Sequence, residues 1–189
     1  MSNPATSPIL IALAGNPNTG KTSLFNRLTK SDQRVGNYPG ITVDRHSGHV
    51  VLPKAGTVEV LDIPGNYSLS ARSAEEQIAI EALSGLPPYP APDVVVLVVD
   101  ATQLSRNLYL AQQVIELGQP AVVALNMVDM LDSGGREVDV RALENALGVP
   151  VVATNARAGS GLEELKVAID GVLAQPATGT PGARWAHED

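Results

Sequence analysis

Cysteine is absent from this 189-residue chain, which excludes disulfides, thiolate metal sites and cysteine nucleophiles and suits a reducing compartment. Histidine is scarce, with three residues. Two of them, His46 and His49, fall three apart in a stretch that reads as a strand. They face opposite sides and are not expected to share a metal ion. Basic residues are in deficit: 13 Lys and Arg against 20 Asp and Glu give a formal charge of −7. A nonspecific grip on nucleic acid is therefore disfavoured, and no nucleic-acid partner is expected. Long apolar runs are missing as well, since no segment approaches the roughly 20 residues that a membrane-spanning helix needs. The run at 9–14 is too short for a signal-peptide core and leads into Gly-Asn-Pro-Asn instead of a small-residue cleavage pattern. The chain as given is expected to be soluble.

With 44% hydrophobic and 17% charged residues, the composition suits one globular domain with a sizeable core, expected over 1–174. The following "QPATGTPGARWAHED", residues 175–189, is rich in Pro, Gly and Thr and has no periodicity. It reads as a linker or disordered tail. Short aliphatic runs at 9–14, 57–63, 94–99, 121–126 and 149–154 lack polar alternation, as strands buried on both faces do. Between them, 21–29, 74–83, 104–117, 140–147 and 162–173 carry apolar residues at helical spacing. The alternation predicts an α/β fold with a mostly parallel sheet covered on both faces. A more polar strand at 45–52, joined by the short turn 53–56 to the strand that follows, is expected to form an antiparallel hairpin at the sheet edge. The sheet then has six strands with one antiparallel edge strand. Ligands of such sheets bind beyond the carboxyl ends of the strands, so the loops after residues 14, 62, 99, 126 and 154 belong on one rim.

The first of those loops reads "GNPNTGKT", residues 15–22, which matches the phosphate-binding pattern GxxxxGK[ST] between a buried strand and a helix. Gly15 and Gly20 allow the backbone through Asn16, Pro17, Asn18 and Thr19 to curl with its N–H groups toward phosphate oxygens. The start of the next helix, through Ser23, adds its positive end. Lys21 is expected to reach the β- and γ-phosphates and Thr22 to ligate Mg²⁺. The base is addressed by "LNMVD", residues 125–129, where Asn126 and Asp129 form an NxxD pattern at a strand end with Met127 between them. A carboxylate there accepts from the guanine N1–H and exocyclic amine, a pair of donors that adenine does not present. In isolation NxxD is also an ordinary turn pattern, and its position after the phosphate loop tips the reading to guanine.

With the phosphate loop, Asp62 and Gly65 as DxxG, and NxxD in that order, the chain resembles a small GTPase domain of the translation-factor-related class, a Ras-like P-loop fold. "VGNYPGITVDR", residues 35–45, and "DIPGNYSLSARSAEE", residues 62–76, closely resemble the two switch regions of ferrous iron transport protein B, a bacterial iron transporter with a cytosolic G domain. The resemblance spans about residues 8–174. It implies hydrolysis of GTP to GDP and phosphate, with Gly40, Ile41 and Thr42 of the first switch at the nucleotide. Thr42 completes Mg²⁺ coordination and Asp62 holds the ion through water, while Gly65 offers its N–H to the γ-phosphate. Thr42 also suits a plain strand entry.

Related G proteins place an S-A-[KL] signature after the last strand, and here Asn155, Ala156 and Arg157 stand in its place. The same segment reads equally as a Gly-rich turn before the helix at 162. Many relatives also carry a water-orienting Gln after DxxG. Asn66 occupies that position, one methylene shorter, and is not expected to place the water. The resembled family lacks this Gln too, and its hydrolysis is stimulated by K⁺ held by an Asn of the phosphate loop and by main-chain carbonyls of the first switch. The matching groups are Asn18, Gly36 and Tyr38, although Asn18 also fits a left-handed turn position. In that family a helical domain that modulates GDP affinity and an Fe²⁺-conducting membrane domain follow the G domain. The chain thus reads as the regulatory portion of such a transporter, on the cytoplasmic side of the bacterial inner membrane. A free-standing potassium-dependent GTPase of ribosome assembly or tRNA modification is the alternative, and a non-hydrolysing nucleotide sensor is a second one.

Overall fold

The computed structural model describes residues 8–30, 33–38, 43–70, 72–132 and 137–175. The expectations for Gly40, Ile41, Thr42 and a tail beyond 175 lie outside the described residues. Seven strands form one sheet in the order β2-β3-β4-β1-β5-β6-β7: β1 (Leu10–Gly15), β2 (Gln33–Asn37), β3 (Asp44–Leu52), β4 (Gly56–Asp62), β5 (Val94–Asp100), β6 (Ala121–Asn126) and β7 (Val151–Ala153). The helices are α1 (Lys21–Thr29), α2 (Ala74–Ser84), α3 (Leu104–Glu116), α4 (Asp129–Asp132), α5 (Val140–Leu147) and α6 (Leu162–Leu173).

The sheet has seven strands where the sequence reading expects six. The additional strand, β2, exposes all five of its residues. It buries no apolar face and therefore leaves no hydrophobic pattern to read. It exists by pairing antiparallel with β3, Gly36 opposite Arg45 and Asn37 opposite Asp44. β3 is antiparallel to β4, so the one antiparallel strand lies one position inside the edge, and β2 takes the edge itself. The single helical turn α4 is likewise too short to show a period.

Strands β1, β5 and β6 alternate between two cores, which explains their uninterrupted apolar runs. Leu10, Ala12 and Ala14 of β1, with Val95, Leu97 and Val99 of β5, pack against Ala79, Ala82 and Leu83 of α2 and Leu110, Ala111 and Val114 of α3. Ile11, Leu13, Val96 and Val98 face the other way, onto Leu24, Phe25 and Leu28 of α1 and Leu165, Ile169 and Val172 of α6. Buried Asp170 on α6 accepts from the backbone N–H groups of Lys54 and Ala55 at 2.7 and 3.0 Å. It thereby clamps the β3–β4 turn to the α6 layer.

Strand order reverses at β1: the chain leaves it toward β4 on one side and β5 on the other. A crevice opens at such a reversal, at the carboxyl ends of the strands. Here that end is Gly15.

Candidate functional site

The residues that build the site are held by backbone geometry before any side chain acts. Gly15 passes so close to β5 that a Cβ on it would stand 2.5 Å from the Val98 carbonyl oxygen. Gly20 precedes α1 with φ of 84°, and a Cβ there would stand 2.3 Å from Asn126 Nδ2. Both positions therefore demand glycine, the second for conformation and space together. Asn18 adopts φ of 66° and exposes its side chain on the rim, as Thr22 and Ser23 do at the start of α1. Thr19 folds inward, its hydroxyl donating to the Asn16 carbonyl at 2.9 Å.

The loops after β1, β4, β6 and β7 meet through named bonds. Lys21 Nζ forms an ion pair with Asp62 Oδ1, joining the phosphate-loop lysine to the last residue of β4. The Asn66 N–H donates to the Gly15 carbonyl at 3.3 Å. Asn126, 3% exposed, donates from Nδ2 to the Thr19 carbonyl at 2.9 Å. Its Oδ1 accepts from the Ala156 N–H at 2.9 Å and from the Thr154 hydroxyl at 3.4 Å. One side chain thus ties the phosphate loop to the loop after β7. Met127, with φ of 63°, reaches toward Gly20: its Cε would lie 3.5 Å from a Cβ placed there. Asp129 opens α4 with its side chain exposed on the rim.

In the 155–160 loop, Asn155 Oδ1 accepts from the Ala158 N–H three residues on, at 2.9 Å. The loop is also gripped from α1 by a residue that sequence reasoning misses. Arg27 donates from Nε to the Ala156 carbonyl at 3.3 Å and from its terminal nitrogen to the Arg157 carbonyl at 2.6 Å. An exposed Arg on a helix carries no motif, so only the fold discloses this contact.

The segment after Asp62 is fastened on its far side to α3. The Leu69 N–H donates to Gln113 Oε1 at 2.9 Å, and Arg106 lies 4.5 Å from the centroid of the Tyr67 ring. An open cleft of ≈ 440 Å³ lies there beside Asn16. Asn66 is fully buried, and its Nδ2 donates to the Ser68 carbonyl at 3.1 Å. The amide nitrogen is thus committed to its own turn. At saturating GTP, Asn66→Ala is expected to change kcat by less than about tenfold, well below the roughly 100-fold or more that a general-base group contributes. A loss of several hundredfold in a single-turnover assay would make Asn66 the water-positioner after all.

Of the first-switch residues expected at the site, Gly36 and Tyr38 are described. His46 pairs with Asp62 and Arg45 with Gly36, so the register carries Gly36 to the rim just beyond Asp62. The Tyr38 N–H donates to the Val43 carbonyl at 2.9 Å. Its ring is buried edge-on to Tyr89, with centroids 5.5 Å apart, and its hydroxyl donates to the Asp62 carbonyl at 3.4 Å. Burial pushes that hydroxyl well above the usual tyrosine range, Asp62 and Tyr89 adding to the effect against an opposing pull from Arg45. It therefore stays a donor and anchors the first switch to the end of β4.

Among the described residues no three His, Cys, Asp or Glu side chains gather as a metal cluster. A divalent ion at Asp62 would take one carboxylate and otherwise hydroxyl, water and phosphate oxygens, a hard donor set that fits Mg²⁺. None of the helices among the described residues is long and apolar enough to cross a membrane.

Comparison with known proteins gives a consistent set of matches. The family model described as ferrous iron transport protein B matches residues 9–169. The Fe(2+) transporter FeoB of Salmonella typhimurium is 47% identical over 167 residues, which are 86% of this chain and 21% of that protein. The chain therefore spans about a fifth of the length of the curated relatives it matches. Among solved structures, an S. thermophilus NFeoB mutant bound to GDP matches at 48% identity and a TM-score of 0.77, covering 85% of this chain and 61% of that one. The cytosolic domain of the T. maritima FeoB iron transporter in its GMPPNP form matches at 38% identity and a TM-score of 0.83, covering 89% and 65%.

Proposed function

The chain belongs to the ferrous iron transport protein B family and has the Ras-like α/β fold of its G domains, and from that premise we propose that it binds GTP and hydrolyses it to GDP and phosphate as the regulatory domain of a bacterial ferrous iron transporter, with K⁺ as an activator. The G domain is assigned to residues 1–174. A helical domain that modulates GDP affinity and an Fe²⁺-conducting membrane domain are expected C-terminal to it in the full-length protein, with this domain expected on the cytoplasmic side of the inner membrane. The observation that carries the reading is the Asn126 side chain, bonded at once to the Thr19 carbonyl and the Ala156 N–H. It supports a phosphate loop and a base loop built as one guanine-nucleotide cradle.

Each residue then has a defined task. The N–H groups of residues 15–22 and the positive end of α1 receive the phosphates. Lys21 exchanges Asp62 for the β- and γ-phosphates and balances charge that grows in the transition state. Asp129 accepts from N1–H and the exocyclic amine of guanine, Met127 lies beside the base, and the 155–157 loop closes over its carbonyl edge. Gly65 donates its N–H to the γ-phosphate, so loss of that phosphate releases the loop.

Thr22, Thr42 and, through water, Asp62 would hold Mg²⁺. Asn18 with the carbonyls of Gly36 and Tyr38 would hold K⁺. The exposed, left-handed Asn18 and the rim register of Gly36 support that second assignment. The chemistry supplied by the two cations when bound is neutralisation of negative charge across the phosphate oxygens, as an arginine finger does elsewhere.

Hydrolysis is expected to run at least about tenfold faster in K⁺ than in Na⁺, a small part of the gain an arginine finger gives. Asn18→Ala should abolish the difference. Phosphate release measured in the two salts checks this, and equal rates in wild-type protein would sink the K⁺ assignment.

A further inference from the structure

Among the described residues, two buried side-chain polar atoms have no hydrogen-bond partner, Asn16 Nδ2 and Asn66 Oδ1. Asn16 is 3% exposed and Asn66 0%, and an unmade buried bond is costly enough that each such atom calls for a reason. One is a donor and the other an acceptor. They lie on adjoining segments, because the Asn66 N–H donates to the carbonyl of Gly15, the residue before Asn16, at 3.3 Å. The orientation of the Asn66 amide follows from its Nδ2 donating to the Ser68 carbonyl, which leaves Oδ1 as the acceptor. Although Asn16 borders the open cleft beside α3, its Nδ2 is sealed from solvent, and Asn66 Oδ1 is the one buried side-chain acceptor without a partner among the described residues.

We propose that Asn16 and Asn66 are two halves of a latch, in which Asn16 Nδ2–H donates to Asn66 Oδ1 when Gly65 turns its N–H to the γ-phosphate. The inference rests on the reading of the site as a GTP-driven switch. Gly65 already lies against the phosphate loop: a Cβ on it would stand 3.3 Å from both the ring Cγ and the backbone nitrogen of Pro17. A shift of residues 64–66 along that surface carries Asn66 past Asn16. Closing the bond satisfies both orphan atoms together, so the triphosphate-bound arrangement gains an interaction that the present one forgoes. Asn16 is then a positioning residue. It acts on the γ-phosphate through Asn66 and Gly65 and does not touch the reacting atoms by its side chain.

The test compares affinities for GMPPNP and GDP by fluorescent-nucleotide competition in wild-type protein, Asn16→Ala, Asn66→Ala and the double variant, each checked for folding by thermal melting. Each single change is expected to lower the GMPPNP-to-GDP affinity ratio about tenfold, the loss of one hydrogen bond in free-energy terms. The double variant should fall no further, because both changes remove the same bond. If Asn66→Ala does not fold, Asn66→Leu, which fills a similar volume without an acceptor, provides the same readout. In NMR spectra the Asn16 side-chain amide protons should exchange with solvent more slowly with GMPPNP than with GDP, and Asn66→Leu should abolish that difference. Additive losses, an unchanged ratio, or an Asn16 amide indifferent to the γ-phosphate overturns the latch alone. Wild-type protein that binds neither nucleotide overturns the reading of the site, and the latch with it.

Discussion

Asp129→Asn is expected to weaken GTP binding by roughly two to three orders of magnitude and to create affinity for xanthine nucleotides. The carboxylate accepts two hydrogen bonds from guanine, and charge-assisted bonds of this kind contribute roughly 1.5–3 kcal/mol each. An amide keeps one acceptor but turns an N–H donor toward the exocyclic amine, so one bond is lost and a donor–donor clash replaces it. In xanthine that position is a carbonyl, which the new N–H satisfies. Asp129 is exposed on the rim, so the substitution should leave the fold intact and confine its effect to the base. Competition of GTP and XTP for the variant measures the outcome, and GTP affinity within about threefold of wild type, or roughly 0.6 kcal/mol, would remove Asp129 from the base site.

Asn126→Ala should act on stability and binding together. The change removes the donor to the Thr19 carbonyl and the acceptor for the Ala156 N–H and the Thr154 hydroxyl. Stranding a buried polar group costs roughly 1–3 kcal/mol, and with several partners left behind the total is roughly 3–5 kcal/mol. At roughly 2–4 °C per kcal/mol for a domain of this size, Tm should fall by about 10 °C. Asn126→Asp should not rescue it, because a carboxylate cannot donate to the Thr19 carbonyl. Guanine nucleotide affinity should drop alongside, since the phosphate loop and the base loop lose their common brace. A melting temperature within about 2 °C of wild type, less than about 1 kcal/mol, would mean that other contacts, such as Arg27 on the Ala156 and Arg157 carbonyls, suffice to hold the loops.

How legible the molecule is depends on what each part buries. Strands β1, β4, β5 and β6 and helices α1, α5 and α6 read clearly because their side chains face a core, which forces apolar runs or a helical period into the sequence. β2 was illegible for the opposite reason: five exposed residues are free to be polar, and only the partner strand makes them a strand. Within the site, the phosphate loop is readable because its chemistry fixes residue types at fixed spacing, down to the two glycines whose surroundings admit no Cβ. Arg27 carries no such signature, since any long cation on that face of α1 looks the same until the fold sets it under the 155–160 loop.

The sequence by itself determined the α/β class, the phosphate loop, the DxxG and NxxD motifs and, through the two switch strings, the family, because local backbone chemistry and periodic burial are written residue by residue. Only the tertiary structure decided how the work is divided among them. It turned Asn126 inward as a brace while leaving Asp129 on the rim, and it set Lys21 against Asp62 across two strands. It also buried Asn66, tied its backbone to Gly15, and left Asn16 Nδ2 without a partner. Those outcomes depend on contacts between residues tens of positions apart, which spacing along the chain does not encode.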